Sequence, residues 1–182
     1  MGLSEEEIRA AYVGAPPRRG GRVVLVGYDP AWPGLYEREA ARVRGALGAA
    51  VLGLEHVGST SVPGLAAKPI VDVVLVVADS ADEGSYVPAL EAAGYVLRIR
   101  EPWWLEHRMF KGPDTDVNLH VFSAGEPEVA RMVAFRDRLR VSEADRVRYE
   151  RVKRGLAARE WGFVQQYADA KAAVVAEILG RA

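Results

Sequence analysis

Hydrophobic and polar positions change period several times along this chain, and each change marks an element. Ile70 to Val77 is apolar at every position except Asp72, the pattern of a central strand buried on both faces. Arg22 to Gly27, Ala50 to Val57, Tyr95 to Arg100, Trp104 to Lys111 and Asp116 to Phe122 also read as strands. Pro30-Ala31-Trp32-Pro33 opens a helix running to about Leu47, and Asp82 to Ala93 follows helical spacing. Three more helices are predicted over Pro127 to Arg140, Glu143 to Arg159 and Phe163 to Leu179. Ser4 with Glu7 forms a capping box for a short helix over Glu5 to Tyr12, and Ser142 with Asp145 forms another. Gly14 to Gly21 (G-A-P-P-R-R-G-G) reads as a linker, which makes the first helix an appendage. The expected division is residues 1–21 as helix and linker and 22–182 as the domain. A mixed sheet with flanking helices and a helical C-terminal segment is an α+β architecture.

Asp72 is the position that breaks this pattern. A carboxylate in a buried strand is costly unless it is paired, solvated by a cleft or bound to a cation. Before it, Gly58-Ser59-Thr60-Ser61 offers backbone amides and three hydroxyls in a loop, donors that suit a phosphate. A phosphate and its metal ion side by side is one reading of that pairing; a structural contact from Asp72 to Lys68 is the other. Lys68 is long enough to reach a phosphate and is equally at home in solvent.

A second polar group lies further along. Gly112-Pro113-Asp114-Thr115 reads as a four-residue hairpin loop that pairs Lys111 with Asp116 and His107 with His120. In that register Lys111, His107, Asp116, Asn118 and His120 share one sheet face, while Leu119 and Val121 take the other. The wet face is expected to complete a site begun by Asp72. Glu55 and Glu106 are further carboxylates within strand patterns, His56 precedes the loop, and Trp103-Trp104 reads as packing or a rim. Two histidines without a carboxylate cluster of set spacing do not define a zinc site.

The segment H-V-G-S-T-S-V-P-G-L-A-A-K-P-I-V-D (His56 to Asp72) resembles the defining segment of the GrpB family, within the nucleotidyltransferase or polymerase-β-like superfamily. Y-D-P-A-W-P (Tyr28 to Pro33), L-E-H-R (Leu105 to Arg108), N-L-H-V-F (Asn118 to Phe122) and F-R-D-R-L-R (Phe135 to Arg140) carry the same resemblance. It implies a nucleotidyltransferase fold in which Gly58, Ser59, Thr60 and Ser61 hold phosphates. Asp72 and His120 then ligate Mg²⁺, and Lys68 or Arg108 neutralises developing charge. His107, Lys111 and Asn118 join the ligand site. The superfamily pattern has a second carboxylate two residues after the first, and this chain has Val74 there. Two readings therefore stand: Mg²⁺-dependent transfer of a nucleotidyl group from a nucleoside triphosphate, or a non-catalytic module binding a nucleotide or CoA precursor. The second draws on the fusion of GrpB-like domains to dephospho-CoA kinase.

Composition narrows the partners. The formal net charge is −1, so nothing global attracts nucleic acid. Between Arg131 and Arg159 there is nonetheless a local excess of +6, either a solvated helical face or a basic wall beside a phosphate. Arginine outnumbers lysine 20 to 4, which reads as genomic bias. The chain has no cysteine, so it has neither disulfides nor a thiol nucleophile. No apolar run reaches the length of about eighteen residues needed to span a membrane, and no signal-peptide pattern is present. A cytoplasmic location with no membrane partner is the expectation.

Overall fold

Strict alternation along one strand organises the molecule. A computed structural model describes residues 4–14 and 23–180, and Arg22 with most of the Gly14–Gly21 linker lies outside them. In chain order the elements are α1 (Glu5–Ala11), α2 (Trp32–Leu47), β1 (Gly53–Val57), β2 (Val71–Val77), α3 (Val87–Ala92), β3 (Val96–Glu101), β4 (His107–Lys111) and β5 (Val117–Ser123). Four helices follow: α4 (Pro127–Val141), α5 (Glu143–Ala157), α6 (Val164–Asp169) and α7 (Ala172–Leu179). The sheet runs β1-β2-β5-β4-β3; β2 and β5 are parallel and the other pairs antiparallel. This is a mixed-sheet α+β fold.

Val71, Val73, Leu75 and Val77 of β2 enter the main core with Trp32, Ala40 and Val43 of α2 and with Tyr86, Leu90 and Phe110. The alternate residue Val74 packs on the other face with Val57 and Phe122, beneath Val129, Met132 and Val133 of α4. Both faces of β2 are thus covered along most of its length, which is why it reads as a continuous apolar run. The C-terminal helices cover the loop after β1: Val62 and Leu65 pack with Leu139, Tyr149, Val174 and Ile178.

A buried carboxylate ties α2 to the β4–β5 hairpin. Glu39 is 1% exposed and accepts hydrogen bonds from Tyr95 Oη (2.6 Å), Thr115 Oγ1 (2.7 Å) and Arg42 Nη1 (3.1 Å). Tyr95→Phe removes a donor to this charge and is expected to cost about 1.5 kcal/mol, read as a lower urea midpoint at unchanged slope.

Several boundaries differ from the sequence expectation. The segment expected as strand Arg22–Gly27 joins the fold through one isolated bridge, Val26 with Ala67, and its Val24 is exposed. The helix expected from Asp82 is a 3-10 turn at Glu83–Ser85 followed by α3, because Pro88 lacks an amide hydrogen and is confined to the first turn. β4 starts at His107 rather than Trp104, since Leu105 and Glu106 turn through positive φ (55° and 48°). The helix expected over Phe163–Leu179 turns at Ala170-Lys171 and becomes α6 and α7.

The expected appendage is docked. Ser4 and Glu7 form their capping box, Ile8 and Ala11 of α1 are buried, and Val13 N–H donates to the Arg98 carbonyl of edge strand β3 (2.9 Å).

Candidate functional site

The hairpin register is displaced by two residues, with Lys111 opposite Asn118 and Met109 opposite His120. The loop is wider than four residues because its Thr115 and Asp114 reach down to Glu39 and Arg42 of α2. A slip of two preserves the side-chain parity. His107, Lys111, Asn118 and His120 therefore still share a face, and it is the face carrying Asp72 and Val74.

Asp72 sits at the end of β2, against the turn that follows β1. Gly58 adopts φ 68° and ψ −171°, and a Cβ built on it would meet Asp72 Oδ2 at 2.5 Å. Asn118 Nδ2 donates to Asp72 Oδ1 (2.8 Å), and His120 Nε2 lies 3.6 Å from the same oxygen. Burial disfavours the charged carboxylate, but His120, Asn118 and Lys68 outweigh it and hold its pKa below the usual value.

Behind His120 runs a chain of imidazoles. His120 Nδ1 is 3.0 Å from His107 Nε2, and His107 Nδ1 is 2.7 Å from Glu101 Oε2. Burial pushes His107 down to about 4, so its ring is neutral and carries one proton. The Glu101 carboxylate assigns that proton to Nδ1; His107 Nε2 then accepts from His120 Nδ1, which turns His120 Nε2 toward Asp72. Phe122 stacks on His107 at 4.8 Å and Trp104 meets it edge-on at 5.1 Å, fixing the ring.

On its other side Asp72 borders a small pocket, open to solvent and lined by Ser59, Thr60, Lys68, Asn118, Lys153 and Lys171, with Tyr167 as an aromatic wall. The ammonium of Lys153 hydrogen-bonds Ser59 Oγ (2.9 Å) and the Ala66 carbonyl oxygen. Lys171 and Lys68 lie over the Tyr167 ring, 4.7 Å and 5.8 Å from its centroid. Burial depresses all three lysines, Lys153 to about 7. No salt bridge within 4.0 Å ties any of the three to a carboxylate among the described residues, although Asp72 lines the same pocket and favours their charged forms. The Tyr167 hydroxyl is buried without a hydrogen-bond partner among the described residues.

Of the expected site residues, Asp72, Ser59, Thr60, Lys68 and Asn118 line this pocket, with Gly58 and His120 next to Asp72. Thr60 Oγ1 is engaged with His56 Nε2 (3.0 Å), and Ser61 Oγ donates to the Gly58 carbonyl (2.6 Å), which fastens the turn. Lys111 pairs with Asp116 (2.9 Å) at the sheet rim, outside the pocket. Arg108 is not brought to the site. It follows His107 by one residue, so alternation sends it to the opposite face, where it binds Glu83 (2.6 Å). The two spare carboxylates are committed elsewhere, Glu55 to Arg136 (2.6 Å) and Glu106 to Arg108 (3.1 Å).

The donor set is a poor match for resident Mg²⁺. Asp72 is the one carboxylate among the lining residues, Val74 is fully buried under α4, and three lysines already crowd the pocket with positive charge. No group of three or more histidine or carboxylate side chains converges as a metal cage among the described residues. Mg²⁺ prefers near-octahedral oxygen ligation.

Lys153, Lys171 and Tyr167 were missed by sequence reasoning. The signal available was the rarity of lysine: three of only four lysines line one pocket.

Comparison with known proteins fits this fold. The model of the family described as GrpB protein matches residues 22–181. The chain belongs to the GrpB family. A UPF0157 protein of Halalkalibacterium halodurans is 59% identical over 98% of this chain and 92% of its own. A dephospho-CoA kinase of Mycolicibacterium paratuberculosis is 29% identical over 82% of this chain, matching 43% of that protein. The crystal structure of conserved protein GrpB from Enterococcus faecalis superposes with a TM-score of 0.72 at 29% identity, covering 87% of this chain and 98% of that one. No helix among the described residues is long and apolar enough to cross a membrane.

Proposed function

We propose that this GrpB-family protein binds the phosphate group of a small ligand, of the nucleotide or CoA-precursor class, through ammonium groups rather than through a resident Mg²⁺. The observation that carries this reading is the convergence of Lys68, Lys153 and Lys171 on one pocket in which Asp72 is the single lining carboxylate, an excess of cations over anions. Buried like charges repel and are poorly solvated, so each ammonium is disfavoured until an anion enters. A phosphate dianion supplies that charge, and the unpartnered Tyr167 hydroxyl supplies a donor to it. The likeness to part of a dephospho-CoA kinase favours CoA precursors among such ligands. Mg²⁺-dependent nucleotidyl transfer draws support from Gly58-Ser59 beside Asp72, but Val74 removes an anionic oxygen that two-metal chemistry uses.

The test is thermal unfolding with inorganic phosphate, pyrophosphate, ATP or CoA, each in EDTA and in Mg²⁺. In EDTA a ligand at a hundred times its Kd is expected to add about 2.7 kcal/mol. Lys171→Met is expected to raise the melting temperature of the free protein, by relieving repulsion, and to abolish most of the gain from phosphate. A response that needs Mg²⁺, or one that Lys171→Met leaves intact, would count against the proposal.

A further inference from the structure

The most buried of the three lysines stands behind a serine hydroxyl. Lys153 is 1% exposed, and its Nζ lies 2.9 Å from Ser59 Oγ, which is itself part of the pocket lining. Tyr149, one helical turn before Lys153 on α5, is buried beside them. A structural role would need only a cation joining α5 to the loop, and an arginine at this position could supply that. This chain uses arginine for 20 of its 24 cationic side chains but has lysine here. What lysine offers and arginine does not is a neutral form with a lone pair.

We propose that Ser59 is a nucleophile, with Lys153 as its base, that accepts a phosphoryl group from a phosphate ester or anhydride held on Lys68 and Lys171. This rests on the phosphate-binding reading of the same pocket. As a free amine, Lys153 donates one N–H to the Ala66 carbonyl and takes the Ser59 hydroxyl proton on its lone pair. The Ser59 Oγ–P bond forms while the P–O bond to the leaving group breaks. The bonding electrons depart with the leaving group, which receives the Lys153 proton if it is an alkoxide and needs none if it is a phosphate. The products are phosphoserine and the freed alcohol or phosphate, so no oxidant or further reactant is required.

The surroundings keep the amine available. Burial and the neighbouring Lys171 and Arg154 lower Lys153, while Glu150 and Asp72 oppose them, leaving it at about 7. Lys68 faces the same pocket, and the Tyr149 ring lies 5.0 Å from Nζ. Tyr149 itself is pushed up to about 12 by burial and stays protonated, able to donate to the developing oxyanion.

Intact-mass and peptide mapping of the full chain, treated with a fluorophosphonate and separately with p-nitrophenyl phosphate, tests this. One adduct at Ser59 is expected, forming faster as pH rises through about 7 and slowed by inorganic phosphate. Ser59→Ala should abolish it. Lys153→Arg, which keeps a cation for Ala66, should stay folded and slow labelling by roughly 100-fold or more. Equal labelling of the Lys153→Arg protein, a flat pH profile or an adduct elsewhere overturns the proposal. So does a protein that gains stability from phosphate yet never labels, and in that case the phosphate pocket stands. Labelling of Ser59 without any thermal response to phosphate would instead overturn the substrate class.

Discussion

Gly58→Ala is expected to destabilise the protein by about 3 kcal/mol or more and to remove its response to phosphate. Gly58 has φ 68° with ψ −171°, a region that essentially only glycine occupies. The added methyl would also sit 2.5 Å from Asp72 Oδ2, 3.1 Å from Asp72 Cβ and 3.2 Å from Asp72 Cγ. Asp72 cannot retreat freely, because Asn118 holds its Oδ1 at 2.8 Å and its strand is paired on both sides. Either the turn unwinds, carrying Ser59 out of the pocket, or the carboxylate is displaced from Asn118 and His120. Urea titration and phosphate-dependent melting would read both consequences. A variant of wild-type stability that still binds phosphate would show that neither the backbone conformation of Gly58 nor its close approach to Asp72 is needed to build the pocket. It would also separate the turn's conformation from the assembly of the pocket.

What the sequence made legible follows the range of the forces involved. The apolar run around Asp72 and the polar loop before it are local patterns, and both ended at one site. The shared face of His107, Asn118 and His120 also survived, although the hairpin register slipped, because a slip of two residues leaves side-chain parity unchanged. Arg108 lies away from Asp72 for the same reason that His107 lies on its face: adjacent strand residues point to opposite faces. Lys153 was illegible because helical periodicity cannot say which cation of a charged helix turns inward, and Lys171 because it sits at the turn between α6 and α7, where one continuous helix was expected. The excess of positive charge over Arg131–Arg159 looked like one surface. Much of it is spent in pairs such as Arg138–Asp145 and Arg154–Glu150, and Lys153 is the member that enters the pocket. The rarity of lysine was visible from the start, but its meaning needed the convergence of β2, the loop and the C-terminal helices.

Acid should unfold this protein well before its carboxylates titrate. His56 and His107 both have folded-state pKa values of about 4, below the ordinary 6.5, chiefly because burial disfavours the imidazolium. Between those values the unfolded chain binds protons that the folded chain refuses, so stability rises with pH across the window. The contribution is complete above 6.5 and is lost as pH falls toward 4, by up to about 3 kcal/mol for each ring. His107 makes the larger claim on function, because its neutral state is what leaves its Nε2 able to accept from His120 Nδ1. It is flanked by Glu101, which favours protonation, and by His120 and Arg108, which oppose it. His56 is held between Tyr36, stacked at 4.9 Å, and Thr60. Urea midpoints measured from pH 7 down to pH 4 should therefore fall steeply, and His56→Gln or His107→Gln should each flatten the slope by about half, whatever either does to stability at pH 7. Stability that stays level down to pH 5 would mean that these rings accept protons in place. His107 could then not hold the proton on His120 Nδ1, and His120 Nε2 would lose its fixed orientation toward Asp72.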